Sequence, residues 1–132
     1  MKEEAHAPTD GLPDAGARGA DPAVRLLAVT RPVSPSIDRC ELTHRERVPI
    51  DPARAAAQHR AYEGQLEAAG CRLVRVPAAP ELPDAVFVED TAVVTDEVAL
   101  ITRPGAPSRR PEVDAVAEVL GRWRTVHPVE SP

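Results

Sequence analysis

Lysine and aromatic side chains are scarce in this sequence: Lys2 is the single lysine, and Tyr62, Phe87 and Trp123 are the only large rings among 132 residues. So few rings mean that any core must be built from Val, Leu and Ile, without the large buried area that aromatics supply. Lys and Arg number 16 against 21 Asp and Glu, for a formal net charge of −5. Arg109-Arg110 is the only basic pair. A chain of this balance lacks the positive surface that neutralises phosphates, so nucleic acid is not an expected partner. Two cysteines, Cys40 and Cys71, are too few for a disulfide framework and are expected to be reduced thiols. No apolar run approaches the roughly 20 residues that cross a bilayer. Met1-Lys2-Glu3-Glu4 carries acid where a secretory signal carries base. The expectation is a cytoplasmic chain with no membrane partner.

What is present falls into two parts. Residues 1–23 combine Ala, Gly, Pro, Asp and Glu with almost no large apolar side chain, so they are expected to form a disordered tail ahead of a domain over 24–132. In that domain Arg25–Thr30 is a short apolar run bounded by prolines, which suits a buried strand. A long proline-interrupted loop follows, of the length that usually serves as a lid. Asp51-Pro52 starts a helix, with Asp as the cap and Pro where no donor is needed, and Gly70 stops it. Ala55, His59, Tyr62, Leu66 and Ala69 recur at spacings of three and four, giving that helix its inward face. Cys71–Val76 reads as a strand, and Thr91–Thr95 with Val98–Thr102 as a hairpin turning at Asp96-Glu97. A second helix is expected over 111–123 and a last strand over 124–129. The order is that of an α/β fold with a repeated unit.

The chemistry concentrates in Pro83-Asp84-Ala85-Val86-Phe87-Val88-Glu89-Asp90-Thr91, where three carboxylates surround an apolar triplet. On an extended chain Glu89 and Asp90 point to opposite faces, so both serve one site only if the backbone turns between them. Two readings stand side by side: a solvated turn, or the polar wall of a pocket. A pocket lined by carboxylates suits a guanidinium, which is planar, permanently charged and rich in donors.

The strings LAVTRPVSPSI, CELTH, PELPDAVFVEDTAVV and ITRPGAPSRRPEV, in that order over about residues 25–130, resemble the amino-terminal half of the dimethylarginine dimethylaminohydrolases, within the pentein or guanidino-group-modifying superfamily. The resemblance implies a partial pentein, an α/β-propeller of ββαβ units with about two of five units present. It also implies that Asp84, Glu89 and Asp90 hold or surround a guanidinium, that Phe87 packs beside its plane, and that Leu42 belongs to a mobile lid. Arg109 would take the ligand's α-carboxylate, with Arg110 next to it as the alternative. The expected small-molecule partner is methylated arginine, with no cofactor and no metal. In the family, a cysteine thiolate attacks the guanidinium carbon, a histidine protonates the departing amine, and water releases citrulline.

Neither catalytic group has a match in these residues. Cys71 follows a helix end, where the dipole opposes a thiolate, and Cys40 with His44 makes only one C-x-x-x-H pair. His59 is expected to be a core contact. The chain alone is therefore expected to be inactive, completed by a second chain or a homo-oligomer if at all. The alternatives are a non-enzymatic arginine-binding or regulatory module, and another guanidino-modifying activity such as an arginine deiminase or amidinotransferase.

Overall fold

The computed structural model describes residues 26–130, so the expected tail over 1–23 lies outside the described residues. Two structural units follow one another. In the first, strand β1 (Leu26–Thr30) leads through a long loop to helix α1 (Pro52–Ala68) and strand β2 (Cys71–Arg75), which lies parallel to β1 with Leu26 opposite Cys71 and Thr30 opposite Arg75. In the second, strands β3 (Ala92–Val94) and β4 (Val98–Ile101) form an antiparallel hairpin. Helix α2 (Val113–Leu120) then returns the chain to strand β5 (Thr125–Pro128), parallel to β4. The second unit is a complete ββαβ motif. The first matches its last three elements.

Local signals explain the boundaries. Asp51 accepts hydrogen bonds from the amides of Ala53 and Arg54 at 2.9 and 3.2 Å, satisfying two donors that the first turn of α1 leaves free. Gly70 ends the helix at φ +88°, a conformation that a Cβ disfavours. Helix α2 starts two residues later than the sequence suggests. Pro111 lacks an amide hydrogen and restricts Arg110, so residues Pro107–Glu112 wind as a 3-10 turn before the α-helix begins.

The core lies mostly in the second unit. Val76, Ala99, Ile101, Val116, Val119 and Leu120 form one buried cluster, with Val29, Val74, Val126 and Trp123 packed at its margin. The expected inward face of α1 is only partly realised. Ala55, His59 and Leu66 are half-buried, but Tyr62 and Ala69 are exposed, and the one fully buried residue of the helix is Glu63. Leu66 is the one large aliphatic side chain among the buried and half-buried positions of the helix, so it has little apolar area to bury, and its docking relies on a polar clamp instead. The expected buried strand is likewise open at its start. Leu26 and Leu27 are exposed because β1 pairs only with β2 among the described strands. No helix among the described residues is long and apolar enough to cross a membrane.

The clamp closes the last register pair of the first sheet. Thr30 Oγ1 donates to Glu63 at 2.7 Å, and Arg75 reaches the same carboxylate through Nε at 3.1 Å and Nη2 at 2.8 Å. His59 Nε2 lies 3.4 Å from Glu63 Oε1. The Arg75 hydrogen bonds hold the Glu63 carboxyl below its usual pKa against the opposing effect of burial, with Thr30 adding to the lowering. A carboxyl with a lowered folded-state pKa stabilises the fold above its unfolded value of about 4.3 and loses that contribution as pH falls through the folded value. Glu63→Gln should therefore cost about 1–3 kcal/mol at neutral pH and flatten the acid limb of a stability curve measured by urea unfolding. An acid limb unchanged by the substitution would count against the clamp.

Candidate functional site

Between the two units the backbone from Ala79 to Thr91 coils mostly by three-residue turns, with one tighter step at Phe87 where Val88 N donates to Val86 O at 3.0 Å. Leu82 N donates to Ala79 O, Ala85 N to Leu82 O, Phe87 N to Asp84 O, and Asp90 N to Phe87 O, at 3.0–3.3 Å. A chain that bonds in steps of three stacks side chains at i and i+3. Asp84, Phe87 and Asp90 accordingly share one wall of an open hollow of about 530 Å³, completed by Glu41 and Thr43 on one side and by Pro104, Gly105, Ala106 and Arg109 on the other. Glu89 falls between the rows. It is exposed and does not line the hollow, whereas the adjacent Asp90 does.

Asp84 is the deepest acid of the three, with 5% of its surface exposed. Its two oxygens accept from a single backbone amide, that of Glu41, at 3.2 and 3.1 Å. Among the described residues no cation forms an ion pair with it, and that leaves a buried carboxylate facing the hollow without a counter-charge. Burying a charge this way is costly unless something pairs with it. Asp90 differs. Its side chain is half-exposed, and it accepts from Arg109 Nη1 at 2.6 Å.

Arg109 is positioned from behind by Glu112, three residues on and 1% exposed. Arg109 Nε and Nη2 approach the Glu112 carboxylate at 3.2 and 3.0 Å, Nη2 also donates to Phe87 O at 3.2 Å, and the guanidinium carbon lies 6.0 Å from the centre of the Phe87 ring. Burial alone would lower the pKa of Arg109, but the hydrogen bonds it donates to the Glu112 and Asp90 carboxylates outweigh that and raise the value above that of a free guanidinium. Arg110 is exposed and donates to Pro104 O at 3.2 Å, outside the lining of the hollow. Three carboxylates and one guanidinium therefore line the space, so it carries net negative charge.

The loop that crosses this face is tethered to it. Besides the Glu41 amide on Asp84, Ser108 Oγ donates to the Glu41 carboxylate, and Arg47 Nη2 folds the loop back onto Cys40 O at 2.7 Å. Leu42 is exposed between the lining residues Glu41 and Thr43. At the loop's base, Ser34 and Ser36 hydroxyls donate to Pro80 O at 2.8 and 3.0 Å, which fastens it to the start of the acidic coil. Residue patterns alone do not single out Glu41 or Glu112. The i, i+3 spacing of Arg109 and Glu112 would have suggested their pairing, whereas the role of Glu41 depends on a long-range tether that no local pattern shows. Cys40 and Cys71 are free thiols, and neither lines the hollow. Among the described residues no three His, Cys, Asp or Glu side chains converge as a metal site.

A second hollow, of about 400 Å³, lies beside Glu63 and includes His59, Arg60 and Arg75. Its acid is already matched by Arg75, so it lacks the unpaired acid of the first.

Comparison with known proteins returns no matching family model. A dimethylarginine dimethylaminohydrolase of Streptomyces coelicolor is 45% identical over 95 residues, which are 72% of this chain and 37% of that protein. The solved structure of a dimethylarginine dimethylaminohydrolase from Pseudomonas aeruginosa, a cysteine-to-serine mutant complexed with citrulline, superposes with a TM-score of 0.72 at 35% identity, covering 79% of this chain and 41% of that one. The amino-terminal domain of ArgZ, a cyanobacterial arginine dihydrolase bound to product, matches with a TM-score of 0.65 at 18% identity over 77% of this chain and 38% of that one, a likeness of fold alone. The chain spans about two fifths of the length of the relatives it matches.

Arg109 and its neighbour should differ sharply on substitution. Arg109→Ala leaves Glu112 buried without a cation, with an expected cost of about 3 kcal/mol, whereas Arg110→Ala should stay within about 0.5 kcal/mol. Urea unfolding of both variants measures the difference, and equal costs would contradict the assignment of Arg109 to the inner wall.

Proposed function

The chain belongs to the dimethylarginine dimethylaminohydrolase family, and from that premise we propose that its hollow is part of the wall that holds a methylated arginine. In this reading Asp84 and Asp90 receive the guanidinium, Phe87 lies beside its plane, and Glu89, off the row, positions groups around it. Arg109 takes the α-carboxylate, and Leu42 covers the bound ligand from the tethered loop. The reaction is that of the family, hydrolysis of the methylated guanidino group to citrulline and dimethylamine. The thiolate and the histidine it needs have no counterpart at this hollow, where neither cysteine and no histidine lines the wall. The 132 residues are thus proposed to bind ligand and not to turn it over unaided.

The observation that carries the reading is Asp84, buried at 5% exposure and without a cation partner among the described residues, at the edge of a hollow that also holds an arginine. A ligand with a planar cation at one end and a carboxylate at the other supplies the counter-charge that Asp84 lacks and can compete with half-exposed Asp90 for Arg109. Bidentate pairing of a guanidinium with a carboxylate exceeds what an ammonium offers, which favours arginine-like over lysine-like ligands. The acidic balance of the lining also disfavours neutral citrulline relative to its charged precursor, in keeping with release of product.

Titration calorimetry of the chain with asymmetric dimethylarginine, L-arginine, L-lysine and citrulline tests this. The two guanidines are expected to bind more tightly than lysine or citrulline, and Asp84→Asn should weaken them about tenfold or more by removing a charged hydrogen-bond partner. No citrulline should form above background. Equal binding of citrulline and arginine, or an Asp84→Asn variant with unchanged affinity, would overturn the proposal.

A further inference from the structure

Glu112 is buried to 1% exposure, does not line the hollow, and places its carboxylate against Arg109. A guanidinium has five N–H donors. In Arg109 the Nε donor and one Nη2 donor go to Glu112, the other Nη2 donor goes to Phe87 O, and one Nη1 donor goes to Asp90, so a single Nη1 donor is left uncommitted. Arg109 therefore cannot present a two-toothed fork to an incoming carboxylate unless one of its present partners lets go.

The two acids differ in how firmly they hold. The Asp90 side chain is 54% exposed and that of Glu112 is 2% exposed, so water can replace Arg109 at Asp90 far more readily than at Glu112. Glu112 is also braced through its backbone. Arg31, itself 4% exposed, donates from Nη1 to Glu112 O at 3.2 Å and from Nε to Pro77 O at 2.7 Å, which fixes the 3-10 turn against the exit of β2.

We propose that Glu112 is a positioning residue that anchors Arg109 from behind, so that a ligand's carboxylate displaces Asp90 and frees that acid for the ligand's cation while Arg109 stays in the wall. This rests on the reading of the hollow given above and deepens it, because the pair that opens selects a ligand carrying both charges. A cation without a carboxylate leaves Arg109 bound as it is. A carboxylate without a cation strands Asp90. Anchoring also removes most of the side-chain freedom that Arg109 would otherwise lose on binding.

Electrostatics alone runs the other way. Removing the charge of Glu112 makes the neighbourhood of Arg109 more positive and, if Glu112 were only a competitor, would strengthen carboxylate binding. Glu112→Gln, close in shape, separates the two, with L-arginine and n-butylguanidine, the same guanidinium lacking the α-carboxylate and α-ammonium, as probes in calorimetry. The expected result is about a tenfold loss for L-arginine with n-butylguanidine changed less than about twofold. Equal losses for both would mean a merely structural role, and unchanged or tighter L-arginine binding would mean competition. Either result overturns the proposal. A second readout needs no ligand. The Nε–H signal of Arg109 in a nitrogen-15 NMR spectrum should exchange slowly with water in the original chain and rapidly in Glu112→Gln, and an unchanged exchange rate would overturn the anchoring. If L-arginine fails to bind even the original chain, the reading of the hollow fails while this NMR comparison still decides the anchoring. Should Glu112→Gln fail to fold, Glu112→Asp keeps the charge but withdraws it by one methylene, and is expected to show the same selective loss in smaller measure, with equal losses again overturning the proposal.

Discussion

Arg109 joins segments that are far apart in the sequence. Its guanidinium reaches the carbonyl of Phe87, the carboxylate of Asp90 and the carboxylate of Glu112, and so ties the acidic coil to the 3-10 turn that precedes α2. Arg31 repeats the device one layer deeper, linking the loop after β1, the segment after β2 and the same turn through backbone carbonyls. In a chain with three large aromatic rings in all, buried guanidinium groups take over part of the organising work that ring packing performs elsewhere. An arginine suits this task because its planar fork satisfies several acceptors at once, and its long stem fills space while doing so.

The distribution of apolar residues explains where stability is concentrated. Helix α2 sets Val116, Val119 and Leu120 on the sheet and encloses Ala99 and Ile101. Helix α1, although twice as long, buries a glutamate. Its attachment depends on the charge clamp at Glu63 and the strand pairing below it, and the outer side of β1 leaves leucines exposed. Firm packing in one unit and a polar clamp in the other places the hollow beside the better-packed half, where a wall can keep its shape without a ligand.

Much of this architecture was legible from residue patterns. Asp51-Pro52 and Gly70 mark the limits of α1 to within one residue, and Asp96-Glu97 marks the turn of the hairpin. The inward face of α1 departs from the apolar spacing because the structure buries Glu63, whose partners Thr30 and Arg75 lie on two different strands. No local pattern carries that information. The acids show a similar limit. Extended geometry sends neighbours to opposite faces, and family resemblance groups Asp84, Glu89 and Asp90 together, but the described backbone is neither extended nor α-helical there. The spacing D-x-x-F-x-x-D was in plain view, and its meaning depends on hydrogen bonds between residues three apart.

That three-residue winding has an evolutionary corollary. On such a coil each added or lost residue rotates everything beyond it by about a third of a turn, which would carry Asp90 off the side it shares with Asp84 even if every acid were retained. The stretch from Asp84 to Asp90 is therefore held to its length as well as to its acids.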